Sequence, residues 1–154
     1  MPIILSCPEL CFAEYGITPD YILLLDVLEH LANPEKLLVQ LHRNAPTHQQ
    51  LIITVPNIAF LNIRLRLLFG NFSYTSRGFM DKTHLRFFTL KTIKELLKNT
   101  GYEVKHIAGI PAPFPLVFKS QWLSSLLLTV NLRLINLFPG LFSYQIGLVA
   151  EATL

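Results

Sequence analysis

The sequence predicts an α/β fold built on a mostly parallel sheet, and three observations carry that prediction. The run Tyr21-Ile22-Leu23-Leu24-Leu25 is continuously apolar and turns polar at Asp26, the pattern of a short strand buried on both faces. Asn33-Pro34-Glu35 then reads as a helix start, with Asn33 at the N-cap, Pro34 at the first helical position and Glu35 near the positive end of the dipole. A second apolar run, Leu51-Ile52-Ile53-Thr54-Val55, is stopped by Pro56. Strand, polar turn and helix in succession are the units of an α/β sheet. Ligands in such sheets sit beyond the carboxyl ends of the strands, so Asp26, Glu29 and His30 are the first candidate site residues.

The other elements are taken in chain order. Ile3-Ile4-Leu5 reads as the end of a strand, and Pro8, Gly16 and Pro19 punctuate the stretch between it and Tyr21. The helix over 34–44 places Leu37, Leu38 and Leu41 on one face, and Pro46 ends it. Asn57 is placed to cap a helix running to Phe69, with Gly70 as its stop. Residues 71–88 form a loop rich in aromatic and polar groups, and a loop of that length inside a compact domain is usually functional. Thr89 caps a helix over 90–99 that buries Ile93, Leu96 and Leu97 and stops at Gly101. Residues 102–107 are a third strand. Pro111, Pro113 and Pro115 exclude regular structure from their stretch, 122–138 is an apolar helix, and 142–150 is a last strand.

Composition narrows the function classes. Charged residues are only 15% and hydrophobic ones 51%, with mean hydropathy +0.43; this excludes disorder and points to large buried faces, a partner surface or a membrane contact. The net charge of +3 is scattered, with no basic stripe interleaved with aromatics, so nucleic acid is not expected as a partner. Cys7 and Cys11 lack the second pair a zinc site needs and suggest no disulfide framework, which fits a reducing, cytoplasmic setting. No metal-ligand spacing links His42, His48 and His106, and no metal is expected. The N-terminus has no signal-peptide pattern. No stretch reaches the ~20 apolar residues of a spanning helix.

Four segments together resemble the class I S-adenosylmethionine-dependent methyltransferases, nearest the ubiquinone-biosynthesis O-methyltransferases: Leu25-Asp-Val-Leu-Glu-His-Leu31, Val55-Pro-Asn-Ile-Ala59, Asp81-Lys-Thr-His-Leu-Arg-Phe-Phe-Thr89 and Tyr144-Gln145. The resemblance implies a Rossmann-like methyltransferase sheet with helices on both faces. In it Tyr21–Leu25 would be the fourth strand, Leu51 to Val55 the fifth, 102–107 the sixth and 142–150 an antiparallel seventh. It implies S-adenosylmethionine as cofactor and a small-molecule acceptor. The family's glycine-rich loop has no counterpart, since no Gly-x-Gly occurs and the first glycine is Gly16. The expectation is therefore one partial domain over 1–154, truncated before the third strand, with insertions at 57–88 and 111–139. In this fold the first strand pairs with the fourth, so its loss would leave Tyr21–Leu25 with an open edge, weak or absent activity alone, and a surface for self-association or a protein partner.

By resemblance, Asp26, Val27 and Leu28 would lie against the cofactor, and Glu29 and His30 would face the acceptor; the plainer reading is that Asp26 and Glu29 merely solvate a turn. Methyl transfer needs an aligned acceptor and a group to take its proton. His84 is the candidate base, because imidazole titrates near neutral pH. Asp81 and Arg86 share its loop, and Arg86 suits an anionic acceptor group; alternatively the two pair with each other. Asn57 is either an acceptor-binding residue or a helix cap. Two competing functions remain, a non-catalytic interaction module and a membrane-surface protein using residues 114–138.

Overall fold

The computed structural model describes residues 19–43, 45–46, 48–74, 80–117 and 119–153. The expectations for residues 1–18 fall outside this set, as do those for 75–79. Four strands, β1 (Tyr21–Leu25), β2 (Gln50–Pro56), β3 (Tyr102–Ile110) and β4 (Gln145–Ala152), form one sheet in the order β1-β2-β4-β3. β1 and β2 are parallel, and β4 runs antiparallel to both β2 and β3. The antiparallel last strand is as the resemblance implies, and it lies between β2 and β3.

The core lies on one face of that sheet. Leu24, Leu51, Ile53, Val55, Ile146, Leu148 and Ala150 are matched across the strands by register, and all are buried. Leu38 and Leu41 of α1 (Pro34–Arg43), Ile93 and Leu97 of α3 (Leu90–Asn99), and Leu28, Phe88 and Tyr102 complete the cluster. Each such buried aliphatic side chain contributes about 1.5–3 kcal/mol. The other face of β1 differs from expectation: Tyr21, Leu23 and Leu25 are 62%, 60% and 51% exposed. Among the described residues, β1 is neither buried on both faces nor paired on both edges, since only β2 hydrogen-bonds along it.

Helix termini obey local chemistry. Thr89 accepts from the Thr92 backbone while the Thr92 side chain answers the Thr89 N–H, a capping box that opens α3. α2 (Leu61–Leu68) closes in a Schellman turn: Gly70, at φ 69°, donates to Leu67 and Asn71 donates to Arg66. α2 starts three residues later than expected, because the Asn57 side chain is engaged elsewhere and accepts from the Ala59 N–H instead of capping the helix.

Three more boundaries need correction. Pro113 and Pro115 do not exclude a helix; α4 (Phe114–Val117) forms there, with Pro115 in its first turn, where a missing N–H costs nothing. The last strand starts at Gln145, because 139–142 form α6 (Pro139–Phe142) behind α5 (Gln121–Leu137). β3 runs three residues beyond expectation and carries a bulge between Val104 and His106. No described helix is long and apolar enough to cross a membrane.

Candidate active-site cleft at the carboxyl end of the sheet

β1 and β2 end side by side, and the chain leaves β1 through Asp26 in the left-handed conformation, φ 52°. Aspartate tolerates this region better than most residues. The Asp26 N–H donates to the Thr54 carbonyl and hydroxyl, both at 3.1 Å, and the Thr54 hydroxyl donates to Asp26 Oδ1 at 3.1 Å. From β4, Gln145 Nε2 donates to both carboxylate oxygens at 3.0 Å. Three strands thus fix one exposed carboxylate.

The turn off β1 then coils as a 3-10 helix over Leu28–His30. Leu28 is fully buried in the core, and of Asp26, Val27 and Leu28 only Asp26 lines the cleft. Glu29 is only 1% exposed, and neither carboxylate oxygen has a hydrogen-bond partner. The reading of Glu29 as a solvating group is therefore wrong. Burial pushes its pKa from 4.5 to about 7; the Asp26 charge adds to the rise, and its own backbone N–H eases it without reaching hydrogen-bond geometry.

The 80–88 segment is stitched onto this turn. The Glu29 carbonyl accepts from Leu85 at 2.8 Å and Arg86 at 3.0 Å, and the Arg86 guanidinium donates to the Ala32 carbonyl. This docking brings the His84 ring to 4.8 Å from that of His30, nearly edge to face, while His30 Nδ1 lies 3.2 Å from the Thr83 carbonyl. Asp81 accepts from the Thr83 backbone and hydroxyl at 2.9 Å, and these bonds hold its carboxyl below the usual range. Asp81 and Arg86 therefore do not pair, and both act on their own surroundings.

Asp26, Glu29, His30, Pro56, His84, Tyr144 and Gln145 line a cleft of about 190 Å³. Burial and the Asp26 charge push the Tyr144 phenol up. Of the predicted site residues the fold unites Asp26, Glu29, His30 and His84; Val27, Leu28, Asn57, Asp81 and Arg86 stand outside the lining. Asn57 is not the cap of α2. It is fully buried, with Nδ2 donating to Gly140 at 3.1 Å and Ser143 at 2.9 Å, and Oδ1 accepting from Ala59 at 3.1 Å.

Sequence reasoning did not assign Thr54, Tyr144 or Gln145 to the site. The available signal was that β4 is entered through polar Tyr144-Gln145 where it meets the carboxyl end of β2. A larger groove of about 1040 Å³ runs along α3 and β3, beside Lys91, Lys94, Lys98 and Glu95. Its charges are mostly solvated surface groups, so size does not locate the chemistry. The smaller cleft does, with a carboxylate, two imidazoles and an orphaned acid converging.

An α/β sheet with its last strand antiparallel and a polar cleft at its carboxyl end is the architecture of S-adenosylmethionine-dependent methyltransferases. Solved structures with this fold include one such enzyme from Archaeoglobus fulgidus (20% identity, TM-score 0.53, covering 87% of this chain and 59% of that one). A second is from Thermotoga maritima (12%, 0.54, 87% and 56%). A third, from Synechocystis, is a magnesium protoporphyrin IX methyltransferase with bound SAH (15%, 0.51, 88% and 46%). The chain thus spans roughly half the length of these proteins, and at such identities the likeness is one of fold. A family model described as a methyltransferase domain matches residues 8–107, and the chain belongs to that family. No curated protein matches it.

Proposed function

We propose that this domain takes part in methyl transfer from S-adenosylmethionine to oxygen or nitrogen of a small-molecule acceptor, and that on its own it holds the cofactor only weakly. The observation that carries the reading is the convergence of Asp26, Glu29, His30 and His84 at the carboxyl end of β1. Asp26 suits the cationic end of the cofactor, which supplies an electrophilic methyl on a sulfonium. Its carboxylate is exposed, fixed by Thr54 and Gln145, and free of any ion pair among the described residues. His84 and His30 line the same cleft, and in this reading His84 is the base that takes the acceptor's proton.

The weakness comes from size and pairing. A cleft of about 190 Å³ is below the ~300–1,000 Å³ of ligand pockets; it takes the reacting ends and not a nucleoside. β1 pairs with β2 alone among the described residues, which leaves an edge for the strand that carries the rest of the pocket in the family. The ubiquinone-type subfamily and a phenolic or sugar acceptor are part of the same proposal, supported by the motifs around Asp26, Asn57, His84 and Tyr144.

Titration of S-adenosylmethionine into isotopically labelled chain, monitored by amide chemical shifts, tests both points. The expected result is millimolar saturation with shifts centred on Asp26, Val27, Glu29 and Gln145. Shifts elsewhere, or none at saturating ligand, overturn the site. Micromolar affinity overturns the weakness alone.

A further inference from the structure

We propose that the groove along α3 and β3 is a second binding site, and that it takes a small amphipathic carboxylate, an anionic head on an apolar body. The groove shares no lining residue with the cleft, so the proposal does not rest on the methyl-transfer reading. Its volume of about 1040 Å³ matches the upper end of the ~300–1,000 Å³ of small-molecule sites.

The sequence of α3 builds one wall. Leu90, Lys94 and Lys98 recur every fourth residue and share a face, beside the stripe that buries Ile93 and Leu97. Lysine stems cover apolar surface while their ammonium heads stay in water, so the apolar lining of Leu90, Tyr102 and Val104 is rimmed by positive charge. Arg64 and Lys91 add to that rim, against two lining acids, Glu95 and Glu103. Both acids are already answered, Glu95 by Lys91 at 3.9 Å and Glu103 by Lys105. Arg64, Lys94 and Lys98 have no ion-pair partner among the described residues. The surplus is small, which suits a monoanion.

Exposed lysines alone would be ordinary surface groups, and the phenol of Tyr102 is what marks the groove as a site. Tyr102 lines it, is only 2% exposed, and its hydroxyl has no hydrogen-bond partner. The neighbouring His42 ring, packed edge to face on Tyr102, has committed Nε2 to the Thr153 carbonyl. Burial pushes the phenol up, so it keeps its proton and can donate. Native structures rarely leave such a donor unmet. A carboxylate in the groove supplies the acceptor it lacks, whereas a cationic head would meet like charge at the rim and leave the hydroxyl unanswered.

Amide chemical shifts of the isotopically labelled 154-residue chain, titrated with decanoate below its micelle concentration, test the site. The expected result is saturable shifts at Lys94, Lys98, Tyr102 and Val104, with Asp26 and Gln145 unmoved. Decyltrimethylammonium, which keeps the body and reverses the charge, and acetate, which keeps the head and lacks the body, should not reproduce them. Charge reversal by Lys94→Glu with Lys98→Glu should weaken decanoate about tenfold, and Lys36→Glu on α1 should leave it unchanged. Tyr102→Phe should weaken it about tenfold without lowering the urea midpoint, because the free protein has no bond at that hydroxyl to lose. Equal binding of decanoate and decyltrimethylammonium, shifts centred on the exposed apolar residues of α5 such as Trp122, or undiminished affinity in the folded variants overturns the proposal.

Discussion

Gln145 Nε2 stands 3.0 Å from each carboxylate oxygen of Asp26, so one amide on β4 sets the orientation of the acid that leaves β1. The two residues are 119 apart in sequence. They meet only because β2, parallel to β1 and antiparallel to β4, brings the start of one strand beside the ends of the others. If that acid receives the cofactor's cationic end, Gln145→Ala frees it to rotate. The expected outcome is a several-fold loss in the cofactor-induced shift at Asp26, with a stability loss of only about 1 kcal/mol by urea unfolding, since the bond is exposed. An unchanged titration would separate Gln145 from the site.

Glu29 gives the protein a defined pH dependence. Its folded pKa of about 7 stands above the ordinary 4.5. Below 4.5 both folded and unfolded chains hold the proton. Between 4.5 and 7 the unfolded chain releases it and the folded chain keeps it, so stability falls as pH rises through this window. The loss is at most about 3 kcal/mol. Urea midpoints should drop from about pH 5 to about pH 8, and Glu29→Gln should flatten the curve.

The extents of β1, α1 and α3 were legible because each is bounded by a strong local signal: Asp26, Pro34 and Thr89. Boundaries failed where a distant group outweighed the local one. Asn57 looks like a cap from its neighbours, yet Gly140 and Ser143 claim its amide, and α2 must start later. The site was legible as far as single motifs reach. Asp26, Glu29 and His30 share one turn, and His84 was singled out on chemistry. That His84 lands against His30 depends on Leu85 and Arg86 bonding the Glu29 carbonyl, a pairing between distant segments with no sequence signature. Burial of Glu29 was equally hidden, because a polar residue after Asp26 reads as solvated until the 80–88 segment closes over it.

Gly70 and Gly101 separate backbone strain from crowding. Both have positive φ, 69° and 90°. A Cβ at Gly70 meets nothing within 4 Å, whereas at Gly101 it would lie 2.6 Å from His42 Nε2. That ring is held by its bond to the Thr153 carbonyl at 2.9 Å and by its edge-to-face contact with Tyr102. Gly70→Ala should cost about 1 kcal/mol, from the left-handed conformation alone. Gly101→Ala should cost about 2–4 kcal/mol, because the ring must also move. Equal losses in thermal or urea unfolding would show that His42 yields freely.

Asn57 decides between a ligand-binding and an architectural role for the β2–α2 turn. Its side chain ties three separate backbone groups together, and its own N–H donates to the Tyr144 carbonyl at 3.1 Å, so it joins β2 to the turn from α6 into β4. Asn57→Ala leaves the Gly140 and Ser143 carbonyls without this donor in a buried position, at a cost of about 2–3 kcal/mol. Asn57→Asp is worse at neutral pH, since a carboxylate would face two carbonyl oxygens with no water to screen them. That second variant should recover part of its stability near about pH 4, where the acid can carry a proton and donate once. Loss of stability with this pH signature, and cofactor shifts retained in the folded fraction, is the outcome for an architectural residue. A fully stable Asn57→Ala chain would return Asn57 to the acceptor site.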